Sequence, residues 1–276
     1  MDKEKYIMSK VKEHHDYLIA AGFDVVCTCL QGSQNYGLDE YSEDYMSDVD
    51  TKSIVLPTVD SFIDNIKPVS EVIVMEDNSH AEVKDIRVMF DMFKKENISY
   101  IELLFTDYKI INPKWEKLIQ PIFAENQAIA ALNKNQFLRC IAGMAYEKNK
   151  ALCHPYPGII DKIEKYGFDG KQLSHCIRLY EFIARYVAGE PIAACYKSNC
   201  RTELMLLKKQ RHPKTGLLLD VEEAKALSKH YMEVIKEIKD SAVAPVDEIK
   251  TEAIEILDKV KHDILKEKLR LDLEEK

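Results

Sequence analysis

Long apolar runs are missing from this sequence, and none approaches the ~20 residues that a membrane-spanning helix needs. The stretch from Met1 to Leu18 mixes acids and bases and lacks the apolar core of a secretory signal, so the expectation is a cytoplasmic protein with no membrane partner. Glycine and proline are scarce, nine of each in 276 residues, which excludes collagen-like and low-complexity chains. The seven cysteines are odd in number and include no CxxC pair, so neither a disulfide framework nor a zinc site is expected. Positive charge is also in deficit. With a formal net charge of −8, nothing global attracts nucleic acid or an anionic membrane, and any polyanion must be met by a local basic patch.

What is present is a folding composition, 46% hydrophobic and 31% charged, in a chain long enough for one large domain or two smaller ones. Tyr6, Val11, Tyr17 and Leu18 follow a helical period over residues 5–21 that stops at Gly22. Phe23 to Leu30 and Ser47 to Leu56 are β-branched and apolar runs, the first stopping at Gly32-Ser33 and the second at Pro57. A helix is expected around 58–66, and then Glu71–Met75 and His80–Lys84 flank a turn at Asp77-Asn78-Ser79. From about residue 85 the period is helical, punctuated by Asn112-Pro113, Pro155-Tyr156-Pro157-Gly158 and Pro213 to Gly216, and a terminal helix is expected within 246–276. The pattern predicts an α/β (α+β) architecture: a small mixed-sheet core over residues 1–110, then an α-helical domain over 111–276.

The informative segment is Gly32-Ser33-Gln34-Asn35-Tyr36-Gly37, followed after a loop by Ser47-Asp48-Val49-Asp50. A glycine directly after a strand allows successive amides to point at an anion, and the adjacent serine adds a hydroxyl donor. On a strand, Asp48 and Asp50 would share one side while Val49 enters the core. Two such charges about 4 Å apart repel by roughly 4 kcal/mol at an effective dielectric of 20, so a compensating cation is expected. Mg²⁺, which takes one or two carboxylates plus phosphate oxygens, is the usual one. A solvated strand edge is the bland alternative, and Glu40, Glu43 and Asp44 in the intervening loop are rival carboxylates.

A further helix is expected near Gly170, where Lys171, His175 and Arg178 recur on one face, with Arg185 two turns on. Leu173, Ile177, Tyr180, Ala184 and Val187 form an apolar stripe opposite. The basic row suits a triphosphate, against the plainer reading of a solvated face. Tyr146, Lys148 and Lys150 are read as a solvated helix end, and Cys153-His154 lacks the second half of a zinc motif.

Gly-Ser, a spacer, then Asp-x-Asp on a strand resembles the nucleotidyltransferase superfamily of DNA polymerase beta. The fuller set of Gly32, Ser33, Tyr36 and Gly37 with Ser47-Asp48-Val49-Asp50 is similar to its bacterial and phage branch. Asp85-Ile86-Arg87, Asn97, Glu102-Leu103-Leu104 and the Lys171, His175, Arg178 row extend the resemblance from about residue 30 to 210. The branch usually has a basic residue and glycine where this chain has Thr51-Lys52-Ser53, and proline where it has Ile98. The resemblance implies metal-dependent transfer of a nucleoside monophosphate from an NTP such as ATP to an acceptor hydroxyl on an RNA end, a protein or a small molecule. It also implies two Mg²⁺ or Mn²⁺ ions held by Asp48, Asp50 and a third carboxylate. We assign that third position to Glu82, with Asp85, a candidate helix N-cap, as alternative. Gly32, Ser33, Asn35, Tyr36, Lys171, His175 and Arg178 are the expected nucleotide-binding residues, in a cleft between the two halves. The competing expectations are a module that binds NTP without transfer, and an antitoxin-type interaction protein with a vestigial site.

Overall fold

The structure, a computed structural model, describes residues 2–42 and 46–274. It is a mixed α/β chain: a five-stranded mixed sheet and a helical C-terminal region. Two compact units divide it. The first holds the chain up to Asn35, Asp39–Asn133 and Glu248 onward, and the second holds Tyr36–Leu38 and Lys134–Asp247.

The first unit opens with α1 (Lys3–Ala20), whose N-terminus is capped by the Asp2 carboxylate accepting from the Lys5 amide at 3.3 Å. It buries Ile7, Val11 and Leu18 against the sheet, and also His14 and His15. Those two imidazoles are satisfied by buried hydroxyls on and beside the strands. His14 bonds Thr51 at 2.8 Å and Ser79 at 3.0 Å, and His15 bonds Thr28 at 3.0 Å. Burial holds both below the usual histidine value.

There follow β1 (Asp24–Gln31), the short α2 (Ser33–Tyr36), β2 (Asp50–Leu56), α3 (Val59–Ile63), β3 (Ser70–Val74), β4 (His80–Asp85), α4 (Ile86–Lys94), α5 (Ile98–Ile101) and a 3-10 turn at Glu102–Leu104. After these come β5 (Lys109–Ile111), α6 (Glu116–Ala124) and α7 (Asn126–Ile129). The sheet order is β3-β4-β2-β1-β5, with β2 and β4 parallel and the other pairs antiparallel. The four strands expected from the sequence are present. The fifth, β5, lies in the stretch read as helical; three residues are too few for a period, and pairing with Cys27, Thr28 and Cys29 defines it.

The second unit contains α8 (Lys134–Ala151), α9 (Ile160–Tyr166), α10 (Gly170–Val187), α11 (Ile192–Tyr196), α12 (Arg201–Lys208) and α13 (Val221–Ala242). At its centre is α10, packed against α8, α11, α12 and α13 and burying Leu173, Ile177, Leu179, Phe182 and Ile183. Then α14 (Thr251–Glu274) returns to the first unit and buries Ala253, Leu257, Val260 and Ile264 while packing on α3, α4, α6 and α7. The expected division at 110/111 is therefore corrected. Residues 111–133 and the last helix fall within the unit that holds the sheet, α14 packing on α6 and α7 as well as on α4. No described helix is long and apolar enough to cross a membrane.

Candidate active site

The turn after β1 is built as its residue types require. Gly32 has φ +97°, a left-handed geometry that disfavours other residues, and nothing lies within 4 Å of where a Cβ would stand. Its amide already has an acceptor, the Glu102 Oε1 atom at 3.2 Å, so a carboxylate of the chain occupies the place where a phosphate oxygen was expected. Glu102 is buried and has no role assigned from sequence beyond its place in the Glu102-Leu103-Leu104 segment of the resemblance, although a charge inside the apolar run Ile101 to Leu104 also marks it. Ser33 donates to Gln34 Oε1 at 3.2 Å. Asn35 ties the turn together: its side-chain amide donates to Leu30 O at 3.1 Å and accepts from Thr106 Oγ1 at 2.8 Å. Gln34 reaches across the loop to Asp48 O at 2.6 Å and the Tyr41 hydroxyl at 3.0 Å.

This brings the lead-in to β2 beside the turn, and Gln31 pairs with Asp50 in the ladder. Val49 enters the core with Ile7, Val11 and Leu30, as expected, while Asp48 is exposed. The strand itself begins at Asp50, so Asp48 lies two residues ahead of the regular pleat. Asp50 Oδ1 accepts from the His80 amide at 2.8 Å and lies 3.1 Å from its Nδ1. Among the rivals, Glu40 and Ser47 clasp each other by backbone hydrogen bonding at 2.8 Å, and Glu43 and Asp44 lie outside the described residues.

Glu82 pairs with Lys52 in the parallel β2–β4 ladder, two positions along from Asp50, which puts all three on one sheet face. Both of its oxygens are engaged, Oε1 by Lys84 at 2.8 Å and Oε2 by Lys52 at 3.1 Å. Burial pushes the Glu82 carboxyl up, but the two lysines outweigh it and hold it below the usual range. Lys52, buried, also sits over the Tyr100 ring at 3.7 Å and donates to Ser99 O at 3.3 Å. Asp85 is the N-cap of α4, accepting from the Arg87 amide at 2.8 Å and pairing with its guanidinium at 2.6 Å. It faces away from Glu82 by strand alternation.

Asp48, Asp50 and Ser33 carry hard oxygen donors of the kind Mg²⁺ takes together with phosphate oxygens. Glu82 fits a third ligand position only if it releases two ammonium groups. Among the described residues, no three His, Cys, Asp or Glu side chains are gathered as a metal-binding group.

The other expected binding residues lie in the second unit. Tyr36 is buried there, stacked on Tyr196 at 6.4 Å and 14°, with the Arg178 guanidinium over its ring at 3.7 Å. Lys171 is exposed at the start of α10, behind the Asp169 N-cap. His175 is pushed well below its usual value by burial and then by the positive charges of Arg178, Lys148, Lys171 and Lys208, so the imidazole is neutral. Arg178, expected on an open basic face, is 3% exposed, because α8, α12 and α13 surround α10. Arg185 does not join the row: it pairs with Glu190 at 2.8 Å and Glu181 at 3.3 Å and donates to Lys197 O at 2.7 Å.

A five-stranded mixed sheet with a Gly-Ser turn and two aspartates at the entry of its central strand is the class of architecture these residues define. No protein-family model matches the chain, and no curated protein matches it.

Proposed function

We propose that the chain is a cytoplasmic, metal-dependent nucleotidyltransferase, moving a nucleoside monophosphate from an NTP to the hydroxyl of an RNA end, a protein or a small molecule. The observation that carries this reading is the Asp48-Val49-Asp50 segment at the entry to β2, tied to the Gly32-Ser33 turn by Gln34 and by the Gln31–Asp50 pairing. Mg²⁺ or Mn²⁺ held by Asp48 and Asp50 supplies, when bound, Lewis-acid polarisation of phosphate oxygens. The chain's own part is to bind and orient. The Ser33 hydroxyl donates to a phosphate oxygen, and His80 fixes the Asp50 carboxylate through Oδ1. Asp50 Oδ2 is then the atom placed to take the proton of the acceptor hydroxyl.

Incubation with each α-labelled NTP and Mg²⁺ or Mn²⁺ tests this. Label transfer with release of pyrophosphate is expected for one nucleotide, reduced at least ~100-fold by Asp48→Asn or Asp50→Asn. Unchanged transfer in both variants would refute the assignment. The clasp of Lys52 and Lys84 on Glu82 favours a second reading, a module that binds NTP and transfers nothing. It predicts metal-dependent binding with no pyrophosphate.

A further inference from the structure

Within the second unit, α8 and α13 run antiparallel and are pinned together at both ends. Asn135 exchanges hydrogen bonds with the backbone of Ala244, just past α13, at 3.0 and 2.8 Å, and at the other end Ser228 donates to Asn149 Oδ1 at 2.7 Å. Between the pins lies a groove with a cavity of about 490 Å³, inside the range of about 300–1,000 Å³ usual for small-molecule sites. Each helix lines it with one stripe at i, i+3, i+4, i+7 and i+10, starting from Arg139 on α8 and from Lys229 on α13. From Arg139 to Asn149 that is about 15 Å of helix, so the groove is elongated.

Its floor is absent at Gly143. This glycine stands in the interior of α8, where alanine is the better helix former, and nothing lies within 4 Å of where its Cβ would stand. No close approach of another element therefore requires it, and its missing side chain leaves the middle of the groove empty. Ala142, Met232 and the fully buried Ile235 make the walls beside it apolar, and Tyr146 stands at the edge, 57% exposed. Most of the charges along the groove are already matched. Arg139 pairs with Asp247 at 3.1 Å, Lys239 with Asp240 at 2.8 Å, and Lys229 lies 4.0 Å from Glu233. Lys236 is the remaining lining cation and makes no ion pair among the described residues. An elongated apolar groove with one unmatched ammonium complements an apolar chain that carries a single negative charge, and not a polyanion.

We infer that the groove between α8 and α13 is a binding site for an amphipathic monocarboxylate, whose alkyl chain lies over Gly143 and whose carboxylate meets Lys236. The site is independent of the nucleotidyl-transfer reading.

Calorimetric titration of the full chain with sodium decanoate tests it. One equivalent should bind, and decylamine, a cation at neutral pH, should bind at least ~10-fold more weakly. Lys236→Gln should weaken decanoate about fivefold, through loss of one charge-assisted contact. Gly143→Leu fills the floor and should weaken decanoate at least ~10-fold. The melting midpoint of Gly143→Leu should equal or exceed that of wild type, because the new side chain enters open space and leucine is the better helix former, which separates a blocked groove from a damaged fold. The inference is overturned by absence of decanoate binding, by unchanged affinity in either variant, or by decylamine binding as tightly as decanoate. A dimer of the chain that Gly143→Leu converts to monomer would also overturn it, since a second copy would then occupy the groove.

Discussion

Glu82 sits where Lys52 and Lys84 converge, and Lys52 is almost wholly buried. Replacing Glu82 by Gln leaves Glu102 as the carboxylate still acting on Lys52, so Glu82→Gln should destabilise the fold by about 1–3 kcal/mol in urea unfolding. A stability unchanged by Glu82→Gln would mean that the lysine clasp contributes nothing. Glu96 supplies a second residue-scale test. It accepts from the Asn133 amide at 2.8 Å through Oε1, while Oε2 is buried without a partner, and burial raises its pKa from 4.5 to about 8. A raised folded-state value favours the protonated form, so its contribution is complete below 4.5 and is lost as pH rises through about 8. Stability measured across that range should fall in wild type and fall less in Glu96→Gln. Residue roles were legible where the cause is local: Asp85 as an N-cap and Gly32 as a left-handed turn follow from the adjacent sequence. The burial of Arg178 and the Glu102–Gly32 contact were not, because each depends on elements far apart in the chain.

At the scale of elements, the close approach of α10 and α12 depends on one glycine. A Cβ at Gly170 would stand 2.2 Å from Leu207 O and 3.1 Å from Gln210 N, both backbone atoms that cannot rotate away. Gly170→Ala should therefore lower stability by about 1–3 kcal/mol, as overpacking does, despite the better helix propensity of alanine. A raised melting midpoint would contradict this packing. Gly170 was legible as the start of a helix, though not as a contact. Strands β1 to β4 were readable because each is a β-branched run bounded by turn residues, whereas β5 exists only through its pairing with β1. Of the apolar stripe read on α10, Leu173 and Ile177 are buried but Val187 is exposed, and the period could not reveal that Leu179, Phe182 and Ile183, or the polar Gln172, Ser174, Arg178 and Glu181, are covered.

For the whole molecule, the change from sheet to helices was visible in the change of hydrophobic period, and the helical C-terminal region is present as expected. The return of α14 to the first unit was not visible, since an amphipathic helix states that it needs a partner and not which one. Nucleotide binding is the step that reads the central claim most directly: that Asp48 and Asp50 hold a nucleotide through a metal. The measurement is thermal unfolding of the full chain with each of the four NTPs, with and without Mg²⁺ or Mn²⁺, in wild type and in Asp48→Asn/Asp50→Asn. Stabilisation of about 2.7 kcal/mol at a hundredfold excess over Kd, dependent on metal, selective for one nucleotide and lost in the variant, is the predicted result. A metal-independent shift of equal size in both proteins, or no shift with any nucleotide, would contradict it.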